Sequence, residues 1–476
     1  ESFDLLDLSY ELVKLKFDVT LPFDILEDEP GENTEELIAL YKEYGFSMWL
    51  KQLGDTKPSK IEKSEEIEPQ VDEVKTIVPE ISLDNYTKKL ILSEDEFEKL
   101  LSKLSSCESF VFDLETNSLD YMEAQIVGFV FLVDQNSFYL PVAHDYLDAP
   151  VQLLRSNVLS ALKPILESPE IGKVGQNLKY DAHVLANVDI NLNGIKDDTM
   201  LKSYCIDSVA TRHNMDDLAL HYLNYETIHY SDVAGSGKKQ LTFNQVNIDE
   251  AMPYACEDVI ITNELNKLFE SKLQAYPKLI ALYKNIELPL IKVMLKLERN
   301  GAMLDELSLF NQQNEIKTEM IQIQSKAYEI AGDEFNLESP KQIQQILFSE
   351  EGFGLEPKKK TAKGQPSTNE EALKLLDHPL VDLIMSYRTL TKLNSTYLEA
   401  LPRQINRRTG RLHTSYHQAV TATGRLSSSK PNFQNIPIRT EQGAQIRSAF
   451  IADKGNVILA ADYSQIELRI MAHISG

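Results

Sequence analysis

A pair of acidic residues in the segment FVFDLET is the first candidate for chemistry in this sequence. Asp113 and Glu115 are two residues apart, and the β-branched and aromatic residues around them predict a strand. Alternate side chains of a strand point to the same face, so both carboxylates should project together. For such a pair alone, the polar face of an edge strand is the favoured interpretation, and further residues are needed to support a site.

Two later segments supply these residues at helical spacing. GQNLKYDAHVLAN places Asn177 and Asp181 four residues apart, and PYACEDVIITNEL does the same for Tyr254 and Asp258. Each pair should share one face of a helix. Each is ordinary alone, but the three pairs follow one another within about 150 residues, the size of a typical domain.

Phosphodiester hydrolysis gives this combination a chemical meaning. The reaction passes through a crowded, highly charged state, which two divalent ions about 3.5–4 Å apart can stabilise. Hard ions such as Mg²⁺ prefer carboxylate oxygens, and several carboxylates converge only if cations offset their repulsion. Convergence of these acids would therefore imply bound divalent metal.

The order of the three pairs resembles the DEDD exonucleases that carry a tyrosine in their third motif. The resemblance implies that Asp113 bridges two Mg²⁺ or Mn²⁺ ions and that Glu115 and Asp258 hold the ion activating water. It also implies that Asp181 holds the second ion through its water shell and that Tyr254 orients the attacking water. Three further residues would contact the frayed 3′ end of DNA: Leu119, Asn177 and Phe243. For Leu119 and Phe243, packing in the core is the competing interpretation.

The elements that must position these residues are predicted as α/β or α+β. Ser93 to Glu96 form a capping-box signal for a helix, and FVFDLET and IVGFVFLV read as strands. Residues 285–400 are mainly helical in pattern, with a helix stop at Asn300-Gly301 and a helix start at Ser339-Pro340.

Composition predicts a soluble, cytoplasmic protein of several domains. The 476 residues are 42% hydrophobic, contain no apolar run long enough for a membrane helix and begin without a signal-peptide pattern. The three cysteines lack metal-ligand spacing, so neither disulfides nor a zinc site is expected. Residues 51–80 read as a solvated linker rich in Lys, Glu and Pro.

The net charge of −25 is unevenly distributed. Residues 1–100 hold 26 acidic and 11 basic residues, whereas residues 401–450 hold eight basic residues and one acidic residue. Because phosphate binding needs clustered Lys and Arg, the second stretch is the candidate DNA track.

The most specific strings lie near the end of the sequence. RLHTSYHQAVTATGRLSSSKPNFQNIPIRTEQGAQIRSAF and ILAADYSQIELRIMAHISG resemble bacterial members of DNA polymerase family A, and the resemblance extends over essentially the whole chain. It implies a ribonuclease H-like 3′-to-5′ exonuclease domain, then a mainly helical thumb and the first part of a polymerase palm. The implied regions are a 5′ nuclease remnant (1–50), the linker (51–80), the exonuclease (81–275), the thumb (276–410) and the start of the palm (411–476).

Asp462 is the candidate metal ligand of this last region. VILAAD is predicted as an apolar strand ending in Asp462, and Ser464 to Glu467 form a capping box for the next helix. By resemblance, Asp462 is one of two metal-binding aspartates, and Glu467 is the steric gate against a ribose 2′-OH. The polymerase residues expected to contact DNA are Arg388, Lys392, Arg425, Gln434, Asn435 and Arg439.

The implied function is DNA replication and repair: template-directed synthesis from dNTPs on a primer-template duplex, with proofreading of single-stranded or frayed 3′ ends. A monomer without membrane association is expected. The sequence stops at Gly476, before the fingers and the second palm aspartate. We therefore expect that residues 1–476 alone do not extend primers, that Mg²⁺ binds the polymerase site only if further residues complete it, and that 5′ nuclease activity is absent.

Two alternatives remain at this point. A stand-alone RNA-trimming exonuclease would share the four acids but would lack TATGRLSSSKPNFQNIP and DYSQIELR. A DNA-binding scaffold with inert sites would require that the acids fail to converge. The arrangement of the four acids in space separates the second alternative from an enzyme.

Overall fold

The computed structural model describes residues 37, 38, 41, 83–361, 363–438 and 440–475. Contacts divide the chain into two compact units, Glu1–Thr76 and Ile77–Gly476. In the first unit only Leu37, Ile38 and Tyr41 are described, and they are helical. The expectations for residues 1–50 and 51–80 otherwise lie outside the described residues.

A six-stranded mixed sheet forms the core of the N-terminal part of the second unit. Its strands are β1 (Thr87–Leu90), β2 (Ser109–Thr116), β3 (Ile126–Val133), β4 (Asn136–Pro141), β5 (Gly172–Gly175) and β6 (Ile195–Asp198). The spatial order is β1-β4-β3-β2-β5-β6, with β3 antiparallel to both neighbours and the other pairs parallel. The strand β2 that carries the D-x-E pair therefore lies inside the sheet rather than at its edge.

The sheet is covered on both faces, which explains the continuous apolar pattern of β3. All eight of its residues are buried, as expected for a strand packed on two sides. Phe112 and Leu114 of β2 pack into one hydrophobic cluster, whereas Val111 packs into the other. Asp113 and Glu115 share the second face with Val111, because alternate side chains point the same way.

Helices surround this sheet and include both predicted site helices. They are α1 (Glu94–Ser106), α2 (Arg155–Leu166), α3 (Leu178–Ala186), α4 (Thr199–Ile206), α5 (Met215–Leu223), α6 (Tyr230–Ala234) and α7 (Ile248–Gln274). Ser93 caps α1 as predicted, since its side chain accepts from the Glu96 N–H. The mixed α/β prediction is confirmed.

The C-terminal part is mainly helical, also as predicted. Its helices are α8 (Pro277–Leu282), α9 (Leu288–Asn300), α10 (Glu306–Ala331), α11 (Pro340–Phe348), α12 (Glu370–Leu373), α13 (Pro379–Leu393), α14 (Ala400–Arg403), α15 (Glu441–Ser448) and α16 (Ile466–Ser475). Two small antiparallel sheets accompany them: β7 (Met303–Leu304) with β10 (Phe450–Ile451), and β8 (Ser415–His417) with β9 (Ser427–Ser429). Gly301 ends α9 with a positive φ of 62°, and Ser339 caps α11 with Pro340 in its first turn.

The predicted strand VILAAD is wrong. Residues 457–462 have no strand assignment and are exposed. A strand needs a neighbour to pair its backbone N–H and C=O groups, and no described segment pairs with this one. The helix that follows begins at Ile466, and the Glu467 carboxylate accepts from Arg425 rather than closing the predicted capping box with Ser464.

Among the described residues, no helix is long and apolar enough to span a membrane.

Gly128 of β3 lies directly across from Glu115, and because it has no side chain it leaves room for the ring of Tyr139. A Cβ at this position would lie 2.5 Å from Cε2 and 2.6 Å from Oη of Tyr139, which is fully buried. Gly128→Ala is therefore expected to lower the free energy of unfolding by about 1–3 kcal/mol, measured by urea denaturation, because the buried ring must shift. In a Tyr139→Leu background the same substitution should cost less. An equal cost in both backgrounds would contradict this explanation.

Candidate metal centre and nucleic-acid contacts

Three of the predicted acids converge between β2 and α7. Asp113, Glu115 and Asp258 each offer a carboxylate oxygen, and these oxygens lie within 4.8 Å of one another. The two-residue spacing on β2 turns two of them to the face on which α7 packs, and a buried position on α7 brings the third. Residues 143 positions apart in the chain thus form one acidic group.

Asp181 of α3 lies beside this group. It is almost fully buried, at 2% exposure, and is not one of the three that share the 4.8 Å limit. Its charge nevertheless helps to raise the pKa of Glu115, and the charge of Asp113 helps to raise its own pKa. The helix therefore brings Asp181 into electrostatic contact with Asp113 and Glu115.

Burial and mutual repulsion make this group costly to ionise. Burial raises the pKa of Asp113 to about 7. For the other three acids, burial first and neighbouring carboxylates second raise the pKa well above its ordinary value. In water-excluded surroundings, carboxylates this close can all ionise only beside cations.

Unsatisfied oxygens at the same place fit a divalent cation. Glu115 Oε1 and Asp181 Oδ1 are buried and have no hydrogen-bond partner, although buried polar atoms are normally paired. Within the part of the chain that the structure describes, the grouped ligand atoms are carboxylate oxygens, which hard ions such as Mg²⁺ prefer. The residues present therefore suit divalent metal.

Tyr254 lies one helical turn before Asp258 on α7. The charge of Asp258 is the largest influence on its phenol, followed by burial, and both raise its pKa. The hydroxyl therefore keeps its proton near neutral pH and is able to donate a hydrogen bond beside the acids.

Asp198 is a buried acid that the sequence reasoning missed. Its carboxylate accepts from the Leu178 N–H at 2.8 Å, at the start of α3, and from the Leu201 N–H at 3.2 Å, in the first turn of α4. Burial raises its pKa to about 6. The Asp198 side chain thus holds the beginning of the helix that carries Asp181. The sequence signal for this residue was an aspartate at the cap position, where the strand IKDD ends and α4 begins.

The residues predicted to contact DNA in the exonuclease region differ in exposure and packing. Leu119 is 83% exposed, whereas Phe243 is 1% exposed and packs its ring 5.9 Å from the ring of Tyr254. Asn177 takes a left-handed conformation, with φ of 60°, just before α3, a region that asparagine tolerates. The packing that competes with DNA contact is thus found for Phe243 and not for Leu119.

The loop that carries Leu119 is tied to α3. The Tyr180 hydroxyl donates to the Ser118 carbonyl and lies 2.6 Å from Thr116 Oγ1. The loop therefore begins at the end of β2, close to the acids.

Among those that the structure describes, the predicted residues of the polymerase part do not form a comparable centre. Arg388 donates to the carbonyls of Leu337 and Thr368, and Lys392 is exposed. Asp462 is also exposed, and within the described ranges it belongs to no group of three possible metal ligands.

Arg425 and Glu467 form an exposed ion pair at 2.9 Å. Gln434 donates to the Leu426 carbonyl, and the Asn435 carbonyl accepts from Tyr397. Arg439 lies outside the described residues.

Comparison with known proteins agrees with both parts. Residues 89–274 match the family described as 3′-5′ exonuclease, and residues 307–476 match DNA polymerase family A. A DNA polymerase I of Pseudomonas aeruginosa is 49% identical over 98% of this chain and 50% of its own length, and one of Rhizobium leguminosarum is 41% identical over 76% and 38%. The chain thus spans about half or less of the length of these relatives.

A solved structure gives a similar result for the fold. The polymerase domain of a Mycobacterium smegmatis protein, in complex with DNA primer-template and dNTP, superposes with a TM-score of 0.66 at 29% identity. The match covers 82% of this chain and 63% of that one.

Proposed function

The chain belongs to DNA polymerase family A, and we propose that residues 81–275 are its metal-dependent 3′-to-5′ exonuclease. The observation that carries this proposal is the convergence of Asp113, Glu115 and Asp258 within 4.8 Å, where buried oxygens of Glu115 and Asp181 have no hydrogen-bond partner. A DNA-binding scaffold with inert sites would require that these acids fail to converge, and the grouping of three of them supports the enzyme instead.

The proposed site holds two divalent ions, Mg²⁺ or Mn²⁺, between β2, α3 and α7. Bound cations supply charge neutralisation for the phosphodiester and activation of water. Asp113, Glu115, Asp181 and Asp258 are the proposed ligands. Tyr254, whose raised pKa keeps its hydroxyl protonated, donates a hydrogen bond that orients the attacking water.

The proposed substrate is the 3′ end of a DNA strand that is single-stranded or frayed. Leu119 offers an exposed apolar side chain on the loop after β2, suited to contact an unstacked terminal base. Asn177, at the start of α3, and Phe243, whose ring would have to leave its buried position, are the further proposed contacts.

For the whole protein we propose template-directed DNA synthesis from dNTPs, in replication and repair. Asp462 would be one of its metal-binding aspartates and Glu467 its steric gate. Proposed contacts to a primer-template duplex are Arg388, Lys392, Arg425, Gln434, Asn435 and Arg439. The proposed division is thumb at 276–410 and start of palm at 411–476, in a cytoplasmic monomer.

The comparisons give no support to a stand-alone RNA-trimming exonuclease, since residues 307–476 match a polymerase family.

A direct test follows the release of the terminal nucleotide from 3′-labelled DNA. In Mg²⁺, single-stranded DNA and a duplex with a mispaired 3′ terminus should be degraded about ten-fold or more faster than a fully paired duplex, because a paired end must first lose stacking and pairing that cost roughly a few kcal/mol. EDTA should stop the reaction and Mg²⁺ should restore it.

Two controls accompany this test. A 5′-labelled strand should shorten progressively from its 3′ end. An RNA strand of the same sequence tests the alternative of an RNA-trimming exonuclease, which predicts that RNA is degraded. Equal rates on paired and mispaired ends, or activity that persists in EDTA, would contradict the proposal.

A further inference from the structure

Helix α3 is held by a residue from outside the exonuclease region. Glu298 lies in the last turn of α9 and is 1% exposed. Its carboxylate accepts hydrogen bonds from the Lys179 ammonium and from His183 Nε2. Lys179 and His183 are four residues apart on α3, so the Glu298 carboxylate contacts one face of this helix.

The face of α3 that contacts Glu298 lies opposite Asp181, the proposed metal ligand on this helix. Asp181 is two residues from both Lys179 and His183, which places it roughly 200° away around the helix. One face of α3 therefore presents Asp181 toward the acids of β2, while the other face is attached to Glu298. Rotating α3 or sliding it along its axis would break the contacts on both faces together.

The neighbouring residue of α9 supports the same helix at its end. Arg299 donates to the His183 carbonyl at 3.0 Å and to Asn187 Oδ1 at 3.2 Å. The first contact provides a hydrogen-bond donor for a backbone carbonyl at the C-terminal end of α3, where a positive charge also complements the helix dipole.

The Glu298 carboxylate also binds the polymerase part. It accepts from the Tyr416 N–H of β8 at 2.6 Å, and Lys179 donates to the Tyr416 carbonyl. The Glu298 carbonyl accepts from His413 Nδ1 at 2.8 Å. The Glu298 side chain thus connects α9, α3 and β8, and its backbone carbonyl binds the segment before β8.

We propose that Glu298 is a positioning residue of the nuclease centre, which holds α3 and its Asp181 in place from the polymerase side. The inference rests on the proposed function of residues 81–275. Removing the charge would leave the mostly buried Lys179 ammonium uncompensated, and breaking one partner of a buried ion pair is strongly destabilising. The disturbance should therefore centre on α3.

The test uses Glu298→Gln in the full 476-residue chain. The Mg²⁺ concentration for half-maximal nuclease activity should rise about ten-fold or more, as for residues that orient metal ligands, whereas the KM for DNA should stay within about two-fold. Mn²⁺ binding, followed by electron paramagnetic resonance without DNA, should weaken by a similar factor. Hydrogen exchange in the metal-free protein should accelerate at the amides of 178–186.

Glu287→Gln is the matched control. Glu287 lies just before α9 and accepts from Gln418 at 2.6 Å, so it joins the same two parts of the protein. Among the described residues, none of its side-chain hydrogen bonds goes to α3, so the metal dependence of the Glu287→Gln variant should remain that of the parent. Glu298→Asp keeps the charge but moves it back by one methylene, so it should raise the half-maximal Mg²⁺ concentration less than Glu298→Gln does. This variant replaces Glu298→Gln in the test if Glu298→Gln fails to fold.

The two proposals fail in different ways. A parent protein without Mg²⁺-dependent nuclease activity would end the proposed function. An active parent whose Glu298 variants keep its Mg²⁺ dependence, Mn²⁺ affinity and exchange at 178–186 would overturn only the positioning role. The same shift in Glu287→Gln would also overturn it, because joining the two parts would then suffice.

Discussion

Asp113→Ala is expected to reduce Mg²⁺-dependent release of 3′-terminal nucleotides by about 10³-fold or more. Asp113 would hold divalent metal, and one of its carboxylate oxygens lies within 4.8 Å of an oxygen of Glu115 and an oxygen of Asp258. Metal contributes several kcal/mol of stabilisation to such reactions, and each 1.4 kcal/mol is about a factor of ten in rate. The measurement is single-turnover cleavage of 3′-labelled single-stranded DNA at saturating enzyme.

Glu108→Ala provides the comparison for this result. Glu108 immediately precedes β2, and its side chain is 89% exposed in an ion pair with Lys196. Surface ion pairs contribute little to stability, so this variant should keep the parent rate. Equal cleavage by the Asp113→Ala variant and the parent would indicate a contaminating nuclease and would contradict the assignment of the site.

The metal-free protein is expected to lose stability as the pH rises from about 4 to about 7. In the folded protein the pKa of Asp113 is raised from 3.8 to about 7, and those of Glu115, Asp181 and Asp258 are also raised well above their ordinary values. The folded state therefore binds more protons than the unfolded state in this range, so the free energy of unfolding falls with increasing pH. The effect should reach a few kcal/mol, since each pKa unit corresponds to about 1.4 kcal/mol.

This dependence is measured as a difference between variants. Denaturant unfolding of the parent in EDTA is compared with that of Asp113→Asn, whose curve should be flatter because one acid is removed and the others are relieved. The subtraction cancels groups such as His144, whose pKa is lowered to about 4 by burial and which acts in the opposite direction. Mg²⁺ should raise the stability of the parent most near neutral pH. Parallel curves for the two proteins would contradict the prediction.

Regular patterns predicted the parts of the site that depend on local geometry. Alternation along β2 placed Asp113 and Glu115 on one face, and helical spacing placed Tyr254 and Asp258 together on α7. These periods are properties of the backbone and need no knowledge of neighbours. They could not show that β2 lies inside the sheet, because strand order depends on contacts distant in the chain.

The residues that sequence reasoning missed all act through distant partners. Asp198 reaches the first turn of α3, 20 residues earlier in the chain, and Glu298 reaches His183 across 115 residues. The cap position of Asp198 before α4 is a local signal, but its contact with α3 is not, and Glu298 belongs to no spacing pattern. The strand predicted for VILAAD failed for the complementary reason: its apolar residues fit a strand, but strand formation requires a partner that the described segments do not supply.

The double attachment of Asp198 has a consequence for comparing relatives of this protein. Because one carboxylate begins both α3 and α4, a substitution there would disturb the support of Asp181 while leaving all four acids unchanged. A survey that sorts such proteins into active and inactive nucleases by those four letters would misclassify a relative altered at this position. Reliable sorting of natural sequences should therefore include the residue that stands where Asp198 does.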